Sequence, residues 1–265
     1  MDHKQSFPNL PEAFAIIFVL FVLQITLGAF LYDAGYQFEA GDPLYSLFVL
    51  LISMGTVLSV IMHYKKLSYT RLFNQSGSSW QSIALVLSPP LFLIAAGSVV
   101  WISDLASIVI YFVPMSEQDM DMFKRVFTGG VTSFLLICII APLIEEMLFR
   151  GIILRGLLND YPPMLAVALS ALLFALYHLN IYQFPVALIV GGVSGWLYVM
   201  TRSLWPSVML HSFYNTISYT LFLLSGADPL LETGEVQFHG VAELGLSICV
   251  TLTGFYLLKR ILLKP

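Results

Sequence analysis

Several side chains that can move protons or hold charge sit inside apolar stretches of this sequence. Ile144-Glu145-Glu146-Met147-Leu148-Phe149-Arg150-Gly151 sets two carboxylates and a guanidinium in a run that is hydrophobic on both sides. His178 closes Phe174-Ala175-Leu176-Tyr177-His178, and His211 opens His211-Ser212-Phe213-Tyr214-Asn215, each again within an apolar segment. An ionised group at bilayer depth costs roughly 2.5–3.5 kcal/mol on insertion scales, so two adjacent carboxylates there call for a use. On a helix, Glu146 and Arg150 are four apart and face each other, with the acid on the N-terminal side. Glu145 points about 100° round the helix, with no local partner. A carboxylate so placed is suited to taking and returning a proton.

One carboxylate and one histidine activate a water by accepting its proton. A second histidine and an asparagine supply hydrogen-bond donors to a developing oxyanion. Glu145, His178, His211 and Asn215 are therefore the candidate catalytic residues for amide hydrolysis without a covalent intermediate, with Glu146 and Arg150 as a structural ion pair. The rival within the same class is a zinc site of Glu145, His178 and His211, although His-Glu-x-x-His is absent. A serine nucleophile fits less well, because Ser212 faces another side of its helix from His211 and there is no Gly-x-Ser-x-Gly. Each buried histidine taken alone reads as one hydrogen-bonded to a neighbouring helix; it is the pair with a buried glutamate that shifts the balance. His3, His63 and His239 lie in loops or at span ends, where solvation is the ordinary role, and Cys138 and Cys249 read as small buried hydrophobes.

The elements that must position these groups are membrane helices. Of 265 residues, 58% are hydrophobic and only 11% charged, against about a quarter charged in soluble domains. The long continuous apolar runs describe an all-α polytopic bundle in one membrane domain, 1–265, rather than a barrel. Eight spans are expected: Ala13–Tyr32, Leu44–Met62, Gln81–Ser103, Phe127–Leu158, Met164–Leu179, Phe184–Met200, Leu204–Leu224 and Val241–Leu258. Pro89-Pro90 should kink the third, and Leu105–Pro114 is too short to cross and reads as interfacial or re-entrant. Asn74–Ser79 reads as a flexible connector, and Asp33–Asp42, Ser116–Asp121 and Ser225–Gly240 as acidic loops. Gly191 and Gly195 form a small-xxx-small face for close helix approach, while Trp196, Tyr198 and Trp205 read as interfacial anchors.

Eight spans put both termini on one side. That side carries Lys4, Lys65, Lys66, Arg71, Arg150, Arg155, Arg202, Lys259, Arg260 and Lys264, against Lys124 and Arg125 on the other, so the positive-inside rule makes both termini cytoplasmic. The turn after the fourth span centres near Tyr161, 16 residues after Glu145 and 17 before His178. In a helical hairpin both residues reach about 25 Å from the turn and can meet at equal depth. His211 and Asn215 share one face of the seventh span but lie only 7 and 11 residues past Leu204, nearer the cytoplasmic side than the other two.

At these residues the chain resembles the CAAX-protease and bacteriocin-processing family of intramembrane proteases, which includes the type II CAAX prenyl endopeptidases. The family's Glu-Glu-x-x-x-Arg is Glu145–Arg150 here, its Phe-x-x-x-His is Phe174–His178, and its His-x-x-x-Asn is His211–Asn215. The resemblance covers a catalytic core at about 127–224. It implies that Glu145 and His178 activate water, that His211 and Asn215 form the oxyanion hole, and that Glu146 and Arg150 brace the fourth span. It also implies a membrane-anchored or lipidated protein or peptide substrate, with no metal as the first expectation and zinc as the alternative. The short loops suggest a prokaryotic plasma membrane. A non-enzymatic protein, a proton-coupled carrier or a regulatory scaffold, is the competing class, since intramembrane Glu, His and Arg also build proton relays. No internal repeat of the kind carriers favour is visible, and the few, scattered basic residues exclude nucleic-acid binding.

Overall fold

The computed structural model of the chain describes residues 7–225, 236 and 238–263. Among the described residues it forms ten helices and no strand beyond one isolated bridge between Asn74 and Ser203. The helices are α1 (Leu10–Asp33), α2 (Pro43–Tyr64), the short α3 (Tyr69–Phe73), α4 (Trp80–Phe112), α5 (Glu117–Thr128), α6 (Gly130–Leu157), α7 (Pro163–Tyr177), α8 (Phe184–Thr201), α9 (Trp205–Ser225) and α10 (Val241–Leu262). Six of them, α1, α2, α4, α6, α8 and α10, are long and apolar enough to cross a membrane. Phe14, Phe18, Ile25 and Phe30 on α1 and Leu246 and Leu252 on α10 lie exposed on the outside of the bundle. Such surface suits lipid rather than water, and the protein is an integral membrane helical bundle.

Helix starts follow from local sequence. Asn9 and Glu12 cap α1 reciprocally, with Glu12 N–H donating to Asn9 Oδ1 at 2.9 Å and Asn9 N–H to Glu12 Oε2 at 2.8 Å. Ser116 and Asp119 form the same box at α5, so the acidic Ser116–Asp121 stretch opens a helix instead of forming a loop. Gly130, at φ +61°, then separates α5 from α6, which is why the fourth span starts at Gly130 and not near Phe127.

The third span departs most from its expected form. It runs as one helix of 33 residues through Pro89, Pro90 and Asp104 to Phe112, so Leu105–Pro114 is not a separate re-entrant segment but largely the last turns of α4. Asp104 lowers the local hydropathy without breaking the helix, because its carboxylate takes hydrogen bonds from His239 Nδ1 at 2.8 Å and His239 N–H at 3.2 Å. α10 lies along α4, with Trp101 Nε1 donating to Thr251 Oγ1 at 3.2 Å and Gly254 against Ile94.

One end of the bundle gathers the basic loops. Arg155 Nη1 donates to Arg71 O, Gln75 N–H donates to Arg202 O, and Phe7 packs beneath Lys65. The stretch Asn74–Ser79 is therefore tied down: Leu204 N–H donates to Phe73 O and Gln75 Nε2 to Tyr198 Oη. Tyr198 is fully buried beneath that segment and is no interfacial anchor, whereas Trp205 packs at a tilt against Phe73 and Trp80 at this end. Cys138 is buried as expected, but Cys249 is exposed on the outside of α10. Of the expected Ser225–Gly240 loop, residues 226–235 and 237 lie outside the described residues, as do His3, Lys4 and Lys264.

Candidate active site

α6 is not a uniform α-helix. Leu135–Ile140 and Phe149–Leu154 adopt the wider π register and flank the α-helical Ala141–Leu148 that carries the two glutamates. Short π segments of this kind recur at functional sites. In each, a carbonyl is taken by a neighbouring helix: Asn215 Nδ2 of α9 donates to Ile137 O at 2.8 Å, and Ser170 Oγ of α7 to Phe149 O at 3.1 Å.

Glu146 and Arg150 are wholly buried and meet at 3.1 Å, as their spacing requires. Arg150 Nη2 also donates to Gly191 O at 2.7 Å, and its guanidinium lies 4.6 Å from the Phe174 ring centroid. A Cβ at Gly191 would stand 2.9 Å from that same Nη2 and 3.0 Å from Phe174, so the glycine face on α8 serves the arginine as much as the helix packing. The Gly191 carbonyl as an anchor was not legible from spacing.

His211 does not stand on Asn215's side of the chemistry alone. Its Nδ1 lies 3.0 Å from Glu146 Oε1, and its Nε2 lies 3.9 Å from Glu145 Oε2. Because Glu146 is paired with Arg150, it accepts from His211 Nδ1–H, which fixes the ring and turns Nε2 toward Glu145. His178 is fixed in the same way from its own helix, with Nδ1 2.8 Å from Phe174 O. A carbonyl only accepts, so Nδ1 holds the hydrogen and Nε2 is left free. Phe174 stands edge-on to both imidazoles, its ring centroid 4.8 Å from His178 and 5.6 Å from His211.

Glu145, His178, His211 and Asn215 all line one cavity of about 860 Å³, together with Phe174, Tyr214 and Ser218. Glu145 lies within electrostatic reach of both histidines. Glu146 and Arg150 stand behind the wall and do not line it. The structure thus brings the four candidate residues to one space from three helices. Among the described residues, no group of three or more His, Cys, Asp or Glu is arranged to hold a metal ion.

Two local features make this convergence possible. α7 has only 15 residues and stops at His178, with Leu179 at φ +46° and Asn180 Oδ1 accepting from Tyr182 N–H and Gln183 N–H. A helix that short does not cross the ~30 Å hydrocarbon layer, and non-helical backbone at that depth is tolerated where it lines a cavity. Tyr182 and Gln183 do line it. At the other end, Ser203 and Leu204 are fully buried under the Phe73–Gln75 segment, so α9 begins inset from the basic end of the bundle. That inset removes the depth mismatch expected for His211.

Residues 127–217 match the family described as Rce1-like, type II CAAX prenyl endopeptidase Rce1-like. No curated protein and no solved structure matches the chain. The resemblance carried by the three motifs therefore coincides with the segment that builds the site. Helices α1 to α4 and α10 lie outside the matched residues.

Proposed function

We propose that the protein is an intramembrane endopeptidase that hydrolyses a peptide bond of a membrane-associated protein or peptide by direct attack of water. The observation that carries this reading is the convergence of Glu145, His178, His211 and Asn215 on one cavity. Glu145 accepts a proton from a water that also donates to the free Nε2 of His178, and the hydroxide bonds to the peptide carbonyl carbon. The carbonyl π electrons pass to oxygen. That oxyanion accepts from the second N–H of the Asn215 amide, whose first is held by Ile137 O, and from protonated His211 Nε2. Glu145 then gives its proton to the amide nitrogen, the C–N bond breaks as the oxyanion electrons re-form the carbonyl, and a carboxylic acid and an amine leave, the acid passing its remaining proton to the free Nε2 of His178 and from there to solvent.

Glu146 and Arg150 are positioning residues in this scheme: the guanidinium balances the charge of Glu146, and Glu146 holds His211 by Nδ1. In this reading Glu145 and His178 act on water without a metal, with zinc held by Glu145, His178 and His211 as the alternative, and short loops suit a prokaryotic plasma membrane. The test is cleavage of a quenched peptide library, including a prenylated CAAX peptide, by the purified protein with and without a zinc chelator. Cleavage that Glu145→Gln and His178→Ala both lose, and that the chelator spares, is the expected result. Loss on chelation with recovery on added zinc would replace the water-activation roles with metal ligation. Equal cleavage by wild type and both variants would overturn the site.

A further inference from the structure

The site is sealed toward one end of the bundle and open toward the other. Toward the basic end, Leu148, Ile153, Leu154, Leu157, Tyr198 and Leu204 are fully buried and fill the space beyond the Glu146–Arg150 pair. Toward the opposite end the cavity is lined by α4, α5, α9 and the start of α10, and its exposed lining residues, Gln183, Leu221, Phe238, His239 and Glu243, all lie there. The two ends also differ in charge. Lys65, Arg71, Arg155, Arg202, Lys259 and Arg260 mark the sealed end. Around the open end stand Glu117, Asp119, Asp121 and Glu243, with Asp104 held by His239; the cations there are Lys124 and Arg125, the latter paired with Glu39 at 2.6 Å, so the acids outnumber the bases.

By the positive-inside rule the sealed end is cytoplasmic. We propose that the cavity opens on the outer face of the membrane and there admits a membrane-associated peptide whose apolar segment is flanked by lysine or arginine. The apolar segment lies against Phe123, Phe127, Phe222 and Phe238, which line the mouth, and the cationic flank meets Glu243. A lipidated C-terminal peptide presented from the cytoplasm meets the packed end instead. This inference rests on the protease reading for what happens to the peptide, but its geometry does not.

The experiment uses single-cysteine variants of the full chain in cells, on a background with Cys138 and Cys249 replaced by alanine, and a membrane-impermeant maleimide. Gln183→Cys at the mouth should label in intact spheroplasts, and Thr70→Cys at the basic end only after permeabilisation. The reverse pattern would overturn the proposal. A peptide of ten leucines and alanines flanked by lysines should then slow labelling of Gln183→Cys at least fivefold, and its glutamate-flanked counterpart should not. With Glu243→Gln that discrimination should fall to within twofold. Equal protection by both peptides on the wild-type Glu243 background would overturn the charge assignment. Protection needs no cleavage, so a lysine-flanked peptide that protects but is never cut would sink the protease reading and leave the outward mouth standing.

Discussion

Behind the site, Glu146, Arg150, Leu148, Leu154 and Tyr198 are fully buried and close-packed, whereas in front of it Glu145, His178 and Asn215 face an open volume of about 860 Å³. The two regions are built from adjacent residues of one helix. Glu146 has Arg150 and His211 as partners in the packed wall; Glu145, one residue earlier, faces the cavity with His211 Nε2 3.9 Å away. The difference teaches that neighbouring carboxylates can have opposite surroundings: Glu146 is fixed between Arg150 and His211, and Glu145, which faces the cavity, is the one the proposed mechanism uses to exchange a proton.

The comparison is sharpest at Glu145 itself. Glu145→Gln should lower the cleavage rate by about 10²–10⁴, the usual range for a lost acid–base group, and leave thermal unfolding in detergent almost unmoved. A matching loss of stability would mean that Glu145 belongs to the wall. Arg150→Leu should do the reverse in kind, destabilising the fold by about 3–5 kcal/mol because Glu146 is left as an uncompensated buried charge. Denaturation of that variant, compared with Glu146→Gln/Arg150→Leu, checks the cause, since the double variant should recover part of the loss.

Asn215→Ala comes next, with an expected fall in kcat of about 10²–10³ for a lost oxyanion donor. KM should change little, and a rise in KM at constant kcat would instead assign Asn215 to substrate binding. Gly191→Val crowds Arg150 and Phe174 and should cost about 1–3 kcal/mol by overpacking, read by thermal unfolding. Smallest of all, Tyr198→Phe removes the hydrogen bond from Gln75 and should cost about 0.5–1.5 kcal/mol with unchanged kcat.

Much of this was open to inspection in the chain itself. The six long apolar helices follow from long hydrophobic runs, and the Glu146–Arg150 contact follows from helix periodicity. What escaped were departures from periodicity. The Leu105–Phe112 turns looked like a separate segment because Asp104 interrupts the hydropathy, and only His239, 135 residues away, satisfies that carboxylate. Tyr198 looked like an anchor at a span end until the Phe73–Gln75 segment covered it. The π segments of α6 leave no trace in residue type, since their freed carbonyls are taken by Asn215 and Ser170 on other helices.

The sequence by itself determined a membrane helical bundle, the charge difference between its two ends and the identity of the residues able to do chemistry, because hydropathy and spacing within one helix are local properties. Only the tertiary structure decided that His211 answers to Glu146, that α7 ends at the depth of the site and that α9 starts inset beneath the Asn74–Ser203 bridge. Those outcomes depend on where neighbouring helices stop and which buried polar groups must find partners across them, and no single segment carries that information.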